Sequence, residues 1–325
     1  MFPSLLASSA ASDESFASFD VPPWAWVALV GVIATMLLVD LLVVHRTPHV
    51  ISFKEAAIES AVWISIGLGF IVVLAVWQGG QPALEYLSGY LIEKSLSVDN
   101  VFVWAVIFSF FAVPAQYQFR VLFWGVFGAL VLRAIFIFAG VALIEAFDWV
   151  LYVFGAFLVY SGIKIARHSG EEMHPEKNPV LRIVRRVLPT TDDYDGQKLF
   201  TKQGLKRVAT PLFVVLVLVE ATDVVFAVDS VPAILAVSRE PFIVFASNAF
   251  AILGLRSLYF LLAGMKDRFR YLNVGLGVIM GFVGVKMIAG HWYHLPIWAS
   301  LVVIASVLTV AIWTSLRAEK RELAA

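Results

Sequence analysis

The sequence predicts an all-α, polytopic membrane helix bundle of about nine transmembrane helices with an inverted repeat. Three observations predict it. Hydrophobic residues make up 60% of the chain and charged residues 15%, against roughly 25% charged in soluble domains, and the mean hydropathy is +0.86. Apolar runs long enough to span a hydrocarbon core recur along the whole chain. The kernel Asp-x-Val-Phe occurs twice inside such runs, as Asp99-Asn100-Val101-Phe102 and as Asp223-Val224-Val225-Phe226.

Residues 1–23 are polar and rich in small side chains, with Asp13, Glu14 and Asp20 but no Lys or Arg. A secretory signal needs a basic start and a longer apolar stretch, so this segment reads as a short flexible extracytoplasmic tail. The spans then fall at roughly 24–44, 56–77, 83–111, 118–145, 148–167, 211–236, 241–263, 270–289 and 296–316. They divide into a first membrane bundle (24–167), a connection (168–208), a second bundle (209–316) and a C-terminal tail (317–325). Trp24, Trp26, Trp77, Trp149, Trp292 and Trp298 stand near span ends, as interfacial aromatics do. Pro82, Pro211, Pro241 and Pro296 stand at span starts, where a missing N–H costs little.

Lys and Arg set the orientation. Alternate connections carry 19 on one side (Arg46 and Lys54, Arg120, ten from Lys164 to Arg207, three in 266–270, three in 317–321) and only Arg239 on the other. The N-terminus is therefore expected outside and the C-terminus inside a bacterial cytoplasmic membrane. The third span then runs inward and the sixth outward, so the two kernels point in opposite directions, as in inverted-repeat transporters whose site lies at the repeat interface.

The connection 168–208 is too short for an independent domain. Leu181, Ile183, Val184, Val187 and Leu188, interleaved with Arg182, Arg185 and Arg186, predict a short amphipathic helix on the inner leaflet. Asp192, Asp193 and Asp195 lack EF-hand spacing and its distal Glu and read as a solvated turn.

Five carboxylates sit in two apolar spans: Glu93, Asp99, Glu220, Asp223 and Asp229. Each costs about 2.5–3.5 kcal/mol at mid-bilayer on insertion scales. On an ideal helix Glu93 and Asn100 share a face, as do Glu220 and Asp223, with Ser230 about 20° from Asp223 and Asp229 about 120° away. Pro232 cannot donate to the Val228 carbonyl, so a kink there would swing Asp229 and free an oxygen. Carboxylates, the Asn100 amide, the Ser230 hydroxyl and a carbonyl make an all-oxygen set suited to hard cations such as Mn²⁺, Ca²⁺ and Mg²⁺. The competing reading is that the acids pair with Lys94, Arg133, Arg256 and Lys286 to hold the bundle together. Five acids on two spans favour the ion path. For Asp40 the two readings weigh equally, and Arg256 reads as a structural counter-charge. Gly275, Gly277, Gly281 and Gly284 read as a packing stripe.

The runs EKSLSVDNVFVW (93–104), VEATDVVFAVDSVPAILAVS with its continuation PFIVFASNAFAILGLRSLYFLL, and TDDYDGQKLF (191–200) resemble the motifs of the TerC family of integral membrane proteins, within the LysE-like transporter superfamily. The resemblance covers nearly the whole chain after the tail. It implies a role in metal-ion homeostasis, with manganese efflux the activity and tellurium resistance the historical name. It implies Glu93, Asp99, Asn100, Glu220, Asp223, Asp229 and Ser230 as the metal site. The expected function is export of Mn²⁺ or a similar divalent cation, coupled to a proton gradient. The metal is substrate rather than cofactor, and the partners are that ion and the lipid bilayer. The alternative is a non-transporting scaffold of a tellurium or metal stress-response complex. Zero net charge gives no sign of a nucleic-acid partner, and without HExxH or a Ser–His or Ser–Lys arrangement no enzyme is expected.

Overall fold

The computed structural model describes residues 16–44, 50–147, 149–167, 179–191, 193–203, 206–262, 271–289, 292 and 295–322. His45, His49, Asp192 and residues 1–15 and 168–178, on which parts of the sequence reading fall, lie outside them. Eleven helices are described, with one hairpin of two short strands. Helix α1 (Pro23–Val39) ends in a π-helical turn, Asp40–Val44. The others are α2 (Phe53–Gln78), α3 (Gly80–Phe110), α4 (Ala115–Ala146), α5 (Val150–Arg167), α6 (Pro179–Val187), α7 (Pro211–Leu235), α8 (Pro241–Leu253), α9 (Leu255–Leu262), α10 (Leu272–Ala289) and α11 (Ile297–Glu322). Strands β1 (Phe200–Gln203) and β2 (Lys206–Ala209) pair antiparallel before α7.

Among the described residues, eight spans are long and apolar enough to cross a membrane: α1, α2, α4, α5, α7, α8–α9, α10 and α11. The remaining expected span, α3, has 31 residues, about 46 Å of helix. Its hydropathy is lowered by Glu85, Glu93, Lys94 and Asp99. It is also the inner helix of the bundle, packed on α2, α7, α8, α9 and α11, so its polar side chains face protein rather than lipid.

Contacts fix the directions. Glu85 of α3 meets Ser238 just beyond α7, Gly89 lies against Ile234, and Glu93 shares a cluster with Ser230. One helix advances as the other retreats, so α3 and α7 are antiparallel, as the kernels required. Helix α4 runs parallel to α7, with Gly125 on Val219 and Gly140 on Leu235 and Val231. Helix α4 packs on α7 as α8 packs on α3, which is what an exchange of α3 with α7 and α4 with α8 requires. Helices α5 and α10 meet through glycine. A Cβ on Gly162 would lie 2.5 Å from the Gly277 carbonyl oxygen, and one on Gly284 2.6 Å from that of Gly155. Of the predicted stripe, Gly277 and Gly284 serve α5, whereas Gly275 faces Ala311 of α11.

Two expectations need correction, for the tail and for the connection before α7. The described part of the N-terminal tail is packed rather than loose: Phe16 lies beneath Arg239 and Phe19 stands edge-on to Trp77. Helix α7 continues through Pro232, and the span 241–262 is interrupted at Gly254. There Lys94 Nζ donates to the Ala251 carbonyl at 3.2 Å, supplying a partner near the break. Helix α6 forms as predicted, with Leu181 and Val184 buried and Ile183 and Val187 exposed. The connection also contains the β1–β2 hairpin, which short polar strands did not announce. Tyr194 of that connection donates to the Phe111 carbonyl at 2.7 Å, tying it to the α3–α4 turn.

Candidate functional site

The seam between α3 and α7 carries the polar centre of the molecule. Arg133 of α4, 2% exposed, projects into it and is ion-paired with Glu93, which has no exposure. The same guanidinium nitrogen donates to Ser230 Oγ at 3.2 Å and Asn248 Oδ1 at 3.4 Å. Asn248 of α8 returns a bond to Glu93 Oε2 at 3.2 Å, and Ser97 donates to Glu93 Oε1 at 3.3 Å. Four helices thus meet on one ion pair. Burying the pair is tolerable because both Glu93 oxygens find further donors, although the Arg133 Nε has no partner among the described residues.

Further along the seam the satisfaction stops. The register that sets Glu85 by Ser238 and Glu93 near Ser230, extended by two turns, sets Asn100 opposite Asp223. Both are buried, at 1% and 2% exposure. Asn100 Oδ1 and Asp223 Oδ2 have no hydrogen-bond partner among the described residues. The charged groups acting on Asp223 are Arg133, Glu220 and Glu93, and Arg133 is already held by Glu93. Glu220 is half-buried, its carboxylate against α4 at Gly128, where any side chain would collide with it. Most buried polar atoms in native proteins are paired, so these two orphan oxygens, which the register sets across the seam from each other, are the part of it open to a further partner.

The predicted residues therefore divide. Glu93, Asn100, Asp223 and Ser230 share the seam, with Glu220 beside it. Asp229 is turned toward α5, where Ser161 donates to it at 2.9 Å. Asp99 is half-buried and points about 120° away from the Glu93 face; it makes no hydrogen bond or ion pair among the described residues. Asp40 is bonded to both terminal nitrogens of Arg256, whose Cζ lies 4.3 Å over the Phe119 ring. Arg256 is thus the structural counter-charge expected of it, and Asp40 stands away from the seam. Among the described residues no three His, Asp or Glu side chains converge tightly enough to hold one metal ion; the converging oxygens are of mixed kind.

Sequence reasoning placed Arg133 and Asn248 within spans without seeing that they meet Glu93, and it passed over Glu85. A signal for Arg133 was present. Phe127 to Arg133 reads FGALVLR and Phe250 to Arg256 reads FAILGLR, while Gly-x6-Gly-x-Lys occurs at Gly155, Gly162 and Lys164 and again at Gly277, Gly284 and Lys286. The repeat extends well beyond the kernel. In the connection between α5 and α7, the Thr201 hydroxyl and the Lys198 ammonium hold the Asp195 carboxyl below the usual carboxylate range, so that turn is a bonded one.

The Integral membrane protein TerC family profile matches residues 78–323, which include the whole seam. The chain belongs to the TerC family. A Myxococcus xanthus relative, "Uncharacterized membrane protein STKORF319", is 50% identical over 90% of this chain and 92% of its own length. The Escherichia coli K12 protein named "Putative membrane-bound redox modulator Alx" is 47% identical over 92% of this chain and 97% of its own. A Rickettsia bellii membrane protein is 37% identical over 90% and 96%. No solved structure matches the sequence. This TerC chain is an integral membrane protein, and its seam lies wholly within the family region.

Proposed function

We propose that this chain exports a divalent metal ion, Mn²⁺ foremost, from the cytoplasm across a bacterial inner membrane. Alternating access moves the ion, a proton gradient drives it, the N-terminus lies outside and the C-terminus inside. The observation that carries the reading is the pair of orphan oxygens, Asn100 Oδ1 and Asp223 Oδ2, deep in the seam. They lie between two inverted halves with Glu220 alongside. An unpaired carboxylate at that depth calls for a cation or a proton. Two carboxylates and an amide are hard ligands, suited to Mn²⁺ or Mg²⁺ more than to soft metals. Competition between a proton and the metal for Asp223 gives the exchange its coupling.

The name of the E. coli relative speaks of redox. The 325 residues here contain no cysteine, so thiol–disulfide exchange is not open to them, and an effect on redox state would follow from the metal moved. The scaffold alternative predicts that neutralising the seam acids changes nothing while removing the 168–208 loop abolishes function. The deciding experiment is transport in proteoliposomes across a panel of divalent metals, with and without an imposed pH gradient. Mn²⁺ flux that collapses with the gradient and with Asp223→Asn is expected. Flux of no divalent metal would sink the proposal.

A further inference from the structure

The α3–α7 seam does not end at Glu93. Two turns toward the opposite end from Asn100 lies Glu85, fully buried. Ser238 Oγ donates to it at 2.7 Å, the Ala17 N–H at 2.5 Å and Gln81 Nε2 at 3.4 Å, and Lys286 of α10 acts on it electrostatically. Glu85, Glu93 and Asp223 therefore form one line of carboxylates along one helix seam. On the proposed orientation Glu85 is the outermost of them.

What closes this end is residues 16–22, which precede α1. Phe16 sits under Arg239, with Cζ 4.9 Å from the ring centroid. Ala17 caps Glu85. The Phe19 backbone bonds to Glu240, and its ring meets Trp77 edge-on at 5.9 Å. The segment thus touches the end of α2, the first turns of α3 and the α7–α8 connection. It joins elements from both halves while belonging to neither.

We infer that Glu85 and Ser238 form an outer station for the departing divalent cation, and that residues 16–22 are the strap covering it. The inference rests on the transport reading. The strap's N–H occupies a carboxylate lone pair that a hard cation would take with greater charge complementarity. Arrival of the cation at Glu85 therefore displaces Ala17, and departure lets the strap return. Besides the Ala17 bond, the described residues hold it by the two aromatic contacts, the Phe19 backbone bond and the partial burial of Ala17, Phe19 and Val21 on the core, and a chain segment outside the helices opens locally at less cost than the bundle does.

The chain has no native thiol, so the test can use introduced cysteines. Phe16→Cys with Arg239→Cys, joined by a short bis-maleimide, should export Mn²⁺ at least tenfold more slowly than the same double variant left unjoined. Independently of transport, Ser238→Cys should react with a membrane-impermeant thiol reagent at least fivefold faster when combined with Ala17→Pro, which cannot donate to Glu85. Glu85→Gln should slow export at least fivefold while Mn²⁺ binding to the purified protein stays within twofold. Equal export with and without the cross-link, together with equal labelling, overturns the strap. Glu85→Gln exporting at the wild-type rate overturns the station. If the unmodified protein moves no divalent ion, the transport reading falls and takes the station with it, while the labelling still decides the strap.

Discussion

Asp223 and Glu93 are both buried carboxylates on one seam, yet their neighbours give them opposite roles. Glu93 is matched by Arg133 and two further donors. Asp223 keeps an oxygen with no partner. Neutralising them should therefore do different things. Asp223→Asn removes one charge from a low-dielectric site, where charge pairing is strongest, and leaves a side chain easier to place in a bilayer. Mn²⁺ transport should fall more than about tenfold with normal expression and an unchanged melting temperature. Asp99→Asn, off the Glu93 face, should cost less. Glu93→Gln instead strands the Arg133 guanidinium, and breaking a buried pair from one side costs about 3–5 kcal/mol. Thermal unfolding in detergent should show that loss, and Glu93→Gln with Arg133→Gln should recover most of it. A double variant no more stable than Glu93→Gln would show that the pair is not what Arg133 is for.

The elements were legible where the pattern was long and apolar. Two span starts landed on their prolines, Pro211 and Pro241, and the glycine stripe of α10 found α5 as its partner. What stayed illegible was decided across helices. That Asp229 turns to Ser161, or that Arg133 reaches Glu93 from a different helix, depends on how the helices rotate against each other, and periodicity within one helix does not contain that. Helix α7 runs on through Pro232, because proline costs a helix only its local bonds. The break went to Gly254 instead, where a Cβ would meet the Trp63 Cβ at 2.9 Å and Lys94 Nζ at 3.0 Å. The α5–α10 contact offers the cleanest test at this scale. Gly162→Val must push against the Gly277 carbonyl, which is backbone and cannot turn aside. Overpacking of this kind costs about 1–3 kcal/mol or more. The variant should melt earlier and, if it folds, transport more slowly; Gly281→Ala, which meets nothing within 4 Å, should match wild type in both.

At the scale of the whole molecule, one experiment checks the sidedness on which the transport direction depends. A cysteine at Lys198 should be shielded from an impermeant reagent added outside intact cells and react in inside-out vesicles; reaction in intact cells would reverse the orientation. The inverted halves themselves carry a further consequence. If α3 and α7, and α4 and α8, were identical in sequence, the inward-facing and outward-facing forms would be two-fold rotations of one another and equal in free energy. Neither would be a resting state. The balance between them is therefore set by positions where the halves have diverged, among them Glu93 against Val217, Asn100 against Val224, Leu96 against Glu220 and Ala105 against Asp229. Every one of these pairs sets a polar or charged residue against an apolar one. A protein of this design can retune which way it waits, and how steeply its substrate tips it, by drift at a few such pairs, with the bundle left untouched.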